Sequence, residues 1–388
     1  MYDTQIIDST FGRIAQVTYF AEKNIYIMTR YGSNSGFGIF TSTDGQNWVN
    51  RYTAGSSYTT PPKIQYIPQL GKFAGSAPFI IIVSNDGINW SVSVSLSTSG
   101  AYHYTDITYS ERLGKVLAVY YRDESTYYSY IHSTTDFVTW TTEGTINGGS
   151  SANKNIRAKI IEDGNNLYAS GRYGVSYSYT NQLWVSTDNG VTFTQISDGK
   201  FNSDTAIKLG SYWYSSWETG SSTGSSAYVV RTSDLQDASK YETLIEVTRS
   251  SNQPKADSCM IGLINGYLYL INIDTLELIR IDESGNQVVV ETNSTTINLK
   301  YFDIRENYVK IDGGNIWVTS NFNSWYKYDD LPVVDTIEAV FYTNNMIYVQ
   351  DGDNEKTNYY YYDENFINLP TIDFCNGYIK ATSESEEE

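Results

Sequence analysis

The strongest constraint on the fold of this chain is a turn motif that returns every 39 to 52 residues. The motif has the form Ser/Thr-x-Asp-Gly-x-x-Trp, and residues 42–48 and 84–90 are two nearly identical copies. Its turn positions are Asp44, Asp86, Asp136, Asp188, Asp234, Asp282, Asn321 and Asp363, with steps of 42, 50, 52, 46, 48, 39 and 42 residues. A period of about 40–50 residues is typical of the four-stranded blades of β-propellers.

Each copy of the motif contains what a tight turn needs. Glycine tolerates a positive φ, the aspartate carboxylate accepts backbone N–H groups, and the tryptophan can bury against a sheet. We therefore predict a structural role, without a ligand, for the best-matching residues of the first four copies. They are Asp44, Gly45, Trp48, Asp86, Gly87, Trp90, Asp136, Trp140, Asp188, Gly190 and Phe193.

The segments between the turns have the composition of β-strands. Residues 79–83, 115–120 and 267–271 are rich in β-branched and aromatic side chains, and Gly, Asn, Asp and Ser separate such runs. No long segment has convincing helical periodicity. We predict an all-β chain: a single β-propeller of eight, or alternatively seven, four-stranded antiparallel blades over residues 1–375, followed by an acidic tail over 376–388. Residues 371–375 are candidates to pair with residues 4–7 and close the ring.

The turn motif resembles the Asp box, or BNR repeat, of propellers with the sialidase-like fold. Sialidases, xyloglucan-degrading enzymes, sortilin-type receptors, photosystem assembly factors and many phage virion proteins carry this box. The chain is poor in Lys and Arg and rich in Tyr, Asn, Ser and Thr, which resembles phage tail or head appendage proteins. This resemblance implies a propeller whose ligand sites lie on the face opposite the boxes.

Long aromatic loops in the middle of the chain are the candidates for that face. Tyrosine, serine, glycine and arginine together are typical of recognition surfaces, and loops often contain functional residues. The candidate ligand-binding residues are His103, Arg122, Tyr127, Arg172, Tyr173, Tyr177, Trp217 and Glu218. The alternative interpretation is that these are ordinary hairpins whose tyrosines pack on neighbouring strands.

Composition limits the kinds of partner and cofactor that we expect this chain to bind. A net charge of −18 disfavours nucleic acid, and no apolar run reaches the ~20 residues of a membrane span. With two histidines and two cysteines, Cys259 and Cys375, we expect no metal and no cofactor, and whether the cysteines pair stays open. Residues 1–16 have neither a basic start nor an apolar core, so we expect no secretion signal. The expected location is a virion, or alternatively the cytoplasm.

The motif does not identify catalytic residues. Residues 11–15, Phe-Gly-Arg-Ile-Ala, resemble the Phe/Tyr-Arg-Ile-Pro motif of sialidases, but they have an inserted glycine and lack the proline. We therefore expect a non-enzymatic virion-associated module that binds host surface glycan or a partner virion protein, particle-bound or as a homo-oligomer. The alternatives are a sialidase-like glycoside hydrolase acting on surface polysaccharide and a purely structural assembly component.

Overall fold

The computed structural model shows that the chain is built from consecutive antiparallel sheets. It describes residues 11–32, 36–45, 47–58, 60–96, 102–122, 128–147, 154–155, 159–175, 178–196, 201–219, 226–248, 260–272, 274–292, 298–302, 307–312, 315–319, 322, 324–328, 337–343, 346–351, 359–363, 373–375 and 378–380. We number the sheets in chain order. No α-helix occurs among these residues, which contain only short 3-10 turns such as Ala21–Lys23 and Pro68–Leu70.

The first three sheets are four-stranded meanders. Sheet 1 contains β1 (Phe11–Phe20), β2 (Ile25–Gly32), β3 (Gly38–Ser42) and β4 (Val49–Thr53). Sheet 2 contains β5 (Gln65–Ile67), β6 (Lys72–Ala77), β7 (Ile80–Ser84) and β8 (Ser91–Ser95). Sheet 3 contains β9 (Tyr102–Ser110), β10 (Lys115–Arg122), β11 (Tyr128–Thr134) and β12 (Thr141–Asn147).

The next three sheets continue the pattern with one exception. Sheet 4 contains β13 (Lys154–Asn155), β14 (Ile161–Asp163), β15 (Asn166–Val175), β16 (Ser178–Ser186) and β17 (Thr194–Ile196). Sheet 5 contains β18 (Ile207–Leu209), β19 (Tyr212–Glu218), β20 (Ser226–Thr232) and β21 (Glu242–Thr248). Sheet 6 contains β22 (Met260–Ile264), β23 (Tyr267–Asn272), β24 (Glu277–Ile281) and β25 (Gln287–Thr292).

The C-terminal sheets become shorter. Sheet 7 contains β26 (Asn298–Phe302), β27 (Asn307–Asp312), β28 (Asn315–Thr319) and β29 (Tyr326–Tyr328). Sheet 8 contains β30 (Ile337–Thr343), β31 (Met346–Asp351) and β32 (Tyr359–Asp363). A final hairpin pairs β33 (Asp373–Cys375) with β34 (Tyr378–Lys380), so this pairing crosses the predicted boundary at residue 375.

The number of blades differs from the prediction. Six of the sheets have four antiparallel strands, so the predicted count of eight, or alternatively seven, four-stranded blades is wrong. In sheet 4 the first position is divided between β13 and β14, which both pair with β15. Sheet 8 has three described strands and the last hairpin has two. A regular spacing of turns therefore overestimates the number of regular blades.

The core lies between successive sheets, where the inward faces of neighbouring strands interlock. Four of the apolar clusters join residues of two adjacent sheets, and burying one Ile, Leu or Phe side chain contributes roughly 1.5–3 kcal/mol. Representative buried side chains are Ile27, Phe73 and Ile82 between sheets 1 and 2, Ala74, Ile107 and Ala118 between sheets 2 and 3, Leu117, Ile146 and Leu167 between sheets 3 and 4, and Leu183, Phe201 and Trp213 between sheets 4 and 5. The sheets therefore stabilise one another in sequence order.

The repeated turn of one sheet also rests on the outermost strand of the sheet before it. Ser93 of β8 donates to the carbonyl oxygen of Phe137 at 2.5 Å and accepts from the Trp140 indole N–H at 2.9 Å. Gly144 of β12 lies so close to the next turn that a Cβ there would collide with the carbonyl oxygens of Gly190 and Val191. These joints lock sheet 3 to sheet 2 and sheet 4 to sheet 3.

The first strand of the chain lies beside the eighth sheet, because β1 contacts β30. The sequence instead predicted that residues 371–375 pair with residues 4–7. Residues 373–375 form β33, which pairs with β34, and residues 4–7 lie outside the described residues. None of the described helical segments is long and apolar enough to span a membrane.

Candidate functional site

In sheets 1 to 6 the repeated turn joins the third strand of the sheet to the last one, and its polar atoms are used within the turn. In sheet 2 the Ser84 hydroxyl accepts the Gly87 N–H at 2.8 Å, and the Asp86 carboxylate accepts the N–H groups of Ile88 and Asn89, both at 2.8 Å. Sheets 1, 3 and 4 repeat the pattern at Asp44, Asp136 and Asp188. A carboxylate that already accepts several N–H groups has little capacity left for a ligand.

The backbone at the glycine position is left-handed in the turns of sheets 1, 2, 3, 4 and 7, including two turns in which phenylalanine replaces glycine. Its φ is +75° at Gly45, +77° at Gly87 and +93° at Gly190, but also +63° at Phe137 and +61° at Phe322. A phenylalanine in this conformation is unusual and costs free energy. The ring of Phe137 is buried between sheets 2 and 3, which offsets that cost.

Hydrogen bonding keeps the turn carboxylates ionised. The Thr192 hydroxyl and N–H, followed by the Ser186 hydroxyl, lower the pKa of Asp188 to about 2. Burial alone would raise the pKa of Asp86, but hydrogen bonds from Asn89, Ile88 and Ser84 hold it far below its usual range. These carboxylates are structural anions rather than proton donors at neutral pH.

The opposite face is formed where second strands end and third strands begin. Sheets 3, 4 and 5 are neighbours in the core, and the ends of β10, β15 and β19 lie at this same end of each sheet. We call this set the three-sheet rim. Five of the predicted ligand-binding residues belong to these strand ends, namely Arg122, Arg172, Tyr173, Trp217 and Glu218, and His103 pairs with β10 at the same end.

The predicted loops of this face are largely strands. His103 lies opposite Tyr121 in the β9–β10 ladder, and Arg122 lies opposite Tyr102. Arg172 pairs with Asn181 and Tyr173 with Thr180, so β15 and β16 extend the hairpin to Val175 and Ser178. The expectation that these residues are in loops is therefore wrong, because the backbone hydrogen-bond ladder continues beyond the apolar segment. Tyr127 and Tyr177 lie outside the described residues.

Trp217 is a core residue rather than an exposed aromatic platform. Its side chain is 9% exposed, and its ring stacks on Tyr228 with centroids 4.5 Å apart and planes at 12°. Alternation along β19 turns Trp213, Ser215 and Trp217 towards sheet 4 and Ser216 and Glu218 to the other side. The predicted direct contact between the Trp217 ring and a ligand is therefore not supported by its burial.

Glu218 provides a carboxylate at the rim. Its side chain is 4% exposed at the last position of β19, opposite Ala227. The neighbouring Ser216 hydroxyl and Trp217 indole N–H are buried without a hydrogen-bond partner among the described residues. An unsatisfied buried polar group costs about 1–3 kcal/mol, so a polar molecule bound here would recover that free energy.

Beside these groups lies a hydrogen-bonded network of hydroxyls that the sequence did not reveal. The Ser170 and Ser203 hydroxyls are 2.9 Å apart, and Ser170 Oγ accepts the Ser203 N–H at 2.7 Å. Thr205 donates to the carbonyl oxygen of Ser216 at 2.9 Å, and Ser215 donates to that of Asn202 at 2.9 Å. The network fixes the strand end that presents Glu218, since it joins sheet 4 to sheet 5.

Two further polar residues, one buried and one half-buried, were missed. Arg30, near the end of β2, is 1% exposed with its guanidinium 5.7 Å from the Phe40 ring. His132 of β11 shares a hydrogen bond of 3.1 Å with the Tyr104 hydroxyl and lies 4.3 Å from the Tyr120 ring. Burial lowers the pKa of His132 to about 4, so its imidazole is neutral at neutral pH. The only sequence signal was a charged residue within an apolar strand.

No group of three or more His, Cys, Asp or Glu side chains in the described part of the chain could hold a metal ion. By backbone position, the strand ends of the rim contain Arg122, Arg172, His103 and Tyr173 together with the buried Glu218. Such a set can donate hydrogen bonds to hydroxyl, carboxylate and carbonyl oxygens and accept them from hydroxyl and amine groups.

Comparisons with known proteins identify the fold. No family model and no curated protein matches the chain. Sqt1 from Saccharomyces cerevisiae matches with a TM-score of 0.52 at 9% identity, covering 93% of this chain and 99% of that one. A catalytically inactive virginiamycin B lyase from Staphylococcus aureus, solved with quinupristin, has a TM-score of 0.42 at 15% identity and covers 77% of this chain and 94% of its own. The GH93 alpha-L-arabinofuranosidase of Fusarium graminearum has a TM-score of 0.37 at 12% identity and covers 93% and 95%.

The likeness to Sqt1 supports a β-propeller fold for this chain. At 9% identity it extends to the fold alone, because one propeller architecture hosts many unrelated functions. Function must therefore be argued from the rim.

Proposed function

We propose that this chain is a non-enzymatic recognition module of the Asp-box type. It is part of a virion and binds glycan of a host surface through the three-sheet rim. The observation that carries the proposal is the end of β19. There the Glu218 carboxylate lies on the same side of β19 as the Ser216 hydroxyl, which has no hydrogen-bond partner among the described residues, and at the end of the sheet opposite the repeated turns.

The residues at the neighbouring strand ends suit a sugar ligand. Arg122 and Arg172 belong to adjacent sheets, and a guanidinium binds a carboxylate through two parallel hydrogen bonds. In a chain with a net charge of −18, Arg122 and Arg172 supply two cations at this end of the sheets, where Glu218 supplies an anion. An acidic polysaccharide offers the carboxylates and hydroxyls that this set recognises.

The test is binding of the full chain to purified bacterial surface polysaccharides by biolayer interferometry, with acidic and neutral polymers compared. The double variant Arg122→Ala/Arg172→Ala should weaken binding at least about tenfold, since each charge-assisted hydrogen bond contributes about 1.5–3 kcal/mol. Lys240→Ala is the matched control, because Lys240 is an exposed cation beside the repeated turn of sheet 5. If Lys240→Ala weakened binding as much as the double variant, the loss would be an effect of net charge. If the native chain bound no polymer, the proposal would be contradicted.

A glycoside hydrolase is the second candidate, because Glu218 is a carboxylate at the same rim. Hydrolysis needs a second carboxyl group about 5–9.5 Å away on the other side of the bond. We expect the native chain and Glu218→Gln alike to release no reducing sugar from a polymer that they bind. If the native chain released sugar and Glu218→Gln did not, the chain would be a glycoside hydrolase rather than a binding module.

A further inference from the structure

Aliphatic side chains are exposed at one end of the first four sheets. In the repeated turns of sheets 2, 3 and 4 the residue after the glycine position is Ile88, Val138 or Val191, and these side chains are 39%, 77% and 52% exposed. Val49 and Val92, which follow the turns of sheets 1 and 2 within two residues, are 47% and 45% exposed. We call these five residues the turn-end patch. The other large apolar side chains that are exposed in the described part of the chain belong to sheet 6.

A joint between two sheets brings part of the turn-end patch together. The hydrogen bond from the Ser93 hydroxyl to the carbonyl oxygen of Phe137 joins β8 to the turn of sheet 3. Val92 precedes Ser93 and Val138 follows Phe137, so two exposed valines from different sheets flank the same hydrogen bond. The turn of sheet 4 rests on β12 in a similar way. The patch therefore differs from valines that are scattered singly over a surface, which need no explanation.

The turns hold their aliphatic side chains on a fixed backbone. The carboxylates of Asp86, Asp136 and Asp188 accept N–H groups three or four positions later, each at 2.8 Å. The residue between these bonded positions, such as Val138, therefore has little conformational freedom in the free chain. A partner that binds here does not have to order the turn first, which lowers the entropic cost of binding.

The charge around the turn-end patch is mainly negative. The donors to the turn carboxylates of sheets 2 and 4 are neutral N–H and O–H groups, so these hydrogen bonds leave the negative charge in place. Nearby cations pair with other carboxylates, Arg112 with Glu162 at 2.7 Å and Lys115 with Glu143 at 2.6 Å. Lys72 offsets part of the charge of the sheet 3 turn. Such a surface repels polyanions and attracts cationic groups.

We propose that the turn-end patch binds a protein segment in which aliphatic side chains alternate with lysine or arginine. Aliphatic side chains cannot hydrogen bond to the hydroxyls of a polysaccharide, and the carboxylates repel nucleic acid and anionic lipid. A segment that is both apolar and basic complements both properties of the patch. The four turns have seven or eight residues each, which together approach the roughly 20–30 residues on one side of a stable interface. This surface lies at the end of the sheets opposite the three-sheet rim, so it is independent of the glycan binding proposed above.

Fluorescence anisotropy with model peptides tests the proposal on the full chain. The probe is a labelled peptide of about 14 residues in which valine and lysine alternate, and the comparison peptides replace valine by serine or lysine by glutamate. At about 150 mM NaCl we expect the valine–lysine peptide to bind at least about tenfold more tightly than either comparison peptide, because only it offers both apolar contact and positive charge.

The double variant Val138→Ser/Val191→Ser should weaken binding of the valine–lysine peptide at least about fivefold, because two apolar contacts are lost. Val288→Ser/Val289→Ser is the matched control. These two valines are similarly exposed, but they lie on β25 of sheet 6, so their replacement should leave the affinity unchanged. Circular dichroism and thermal melting of both variants check that folding is kept, which we expect because all four side chains are exposed.

Three results would overturn the proposal. The native chain binds none of the peptides, or it binds the serine–lysine peptide as tightly as the valine–lysine peptide, which would assign binding to net charge alone. In the third, the sheet 6 control loses as much affinity as Val138→Ser/Val191→Ser, which would mean that any exposed valine serves equally well. The peptide assay does not depend on the polysaccharide assay, so the protein-binding and glycan-binding proposals can fail separately.

Discussion

At the scale of single residues, the polar side chains buried between sheets are the least expected feature. His132 lies among Tyr104, Tyr120 and Trp140, with its imidazole 4.3 Å from the Tyr120 ring and 6.2 Å from Trp140. The described neighbours are aromatic rings and a hydroxyl rather than carboxylates, so nothing on this side of sheet 3 stabilises an imidazolium. The fold therefore holds this histidine in its neutral form.

This environment predicts a pH-dependent loss of stability. The folded pKa of His132 is about 4, below the ordinary value of about 6.5 that applies to the unfolded chain. As the pH falls from about 6.5 to about 4, the His132 imidazole binds a proton in the unfolded chain but not in the folded chain. The free energy of unfolding therefore decreases over this window. His132→Phe should remove that decrease, by about 1 kcal/mol after allowance for partial solvent screening, in urea unfolding at pH 7 and pH 4.5.

Tyr104→Phe is the control for this prediction, since it removes the hydrogen bond to His132 and keeps the ring and the titrating imidazole. It should be less stable at both pH values but keep the native pH profile. Carboxylates also titrate in acid, so the informative quantity is the difference between each variant and the native chain. An unchanged difference for His132→Phe at the two pH values would show that this imidazole does not titrate as described.

Residue-scale prediction from the sequence succeeded where the chemistry is local. The hydrogen bonds of Asp86 and Asp188 involve neighbours within four positions, so the motif alone is enough to expect them. Burial is not local in this sense. Trp217 and Arg30 are covered by residues from other strands, and a sequence shows neither which side of a strand faces inward nor how far a ladder continues.

At the scale of elements, the repeated turn acts as a joint between sheets as well as a hairpin. The backbone of Gly144 in β12 passes directly against the carbonyl groups of Gly190 and Val191, and the bridge between Thr145 and Thr192 continues this contact. Position 144 requires glycine because neighbouring backbone atoms leave no room for a Cβ, and not because its φ is positive.

Gly144→Ala should therefore destabilise the chain strongly. Its Cβ would meet backbone atoms that cannot rotate away, and a forced overlap of this kind costs typically 1–3 kcal/mol or more. Thermal unfolding followed by circular dichroism should show a clear fall in Tm. Gly55→Ala is the matched control, because its Cβ would meet only the Tyr58 ring at 3.8 Å, an ordinary contact. Equal effects of the two substitutions would show that the joint is not tightly packed.

The elements also explain why the number of blades was overestimated. Turn positions at Asp282, Asn321 and Asp363 continue the spacing, yet a turn does not determine how many strands pair around it. In sheet 4 the residues before β15 form two short strands instead of one. That division depends on contacts with neighbouring sheets, which the spacing of turns does not encode.

At the scale of the whole molecule, charge opposes compactness. The chain has 44 acidic and 26 basic residues, and the described ion pairs, such as Arg112 with Glu162, use few of them. Self-repulsion of a net charge of −18 destabilises the folded ring, and salt reduces it.

We predict that raising NaCl from about 20 mM to about 500 mM at pH 7.5 increases Tm by roughly 2–5 °C. The measurement is differential scanning fluorimetry or calorimetry on the full chain. The same experiment near the sequence pI of about 4.5 is the control, because there the net charge is close to zero and the increase should vanish. An equal increase at both pH values would assign the effect to general salting-out rather than to charge repulsion.

At the rim the structure gives the backbone positions of the predicted residues, whereas their role in binding a ligand stays a prediction. Arg122, Arg172 and Glu218 do lie at matching strand ends of neighbouring sheets, since their spacing follows the same repeat as the turns. The unsatisfied hydroxyl of Ser216 and the Ser170–Ser203 network depend on three-dimensional packing and have no sequence signature.

The joints between the turns of sheets 3 and 4 and the sheets before them have a consequence for how such a chain can grow. Ser93 completes the hydrogen bonding of Phe137 and Trp140, although they belong to the following sheet. One repeat is therefore not a self-sufficient module, and the smallest duplicable unit is a repeat together with the outer strand that receives its turn. A gene duplication with its boundary between an outer strand and the next repeat separates that strand from the turn it contacts. A duplication that includes both segments keeps the contact between them.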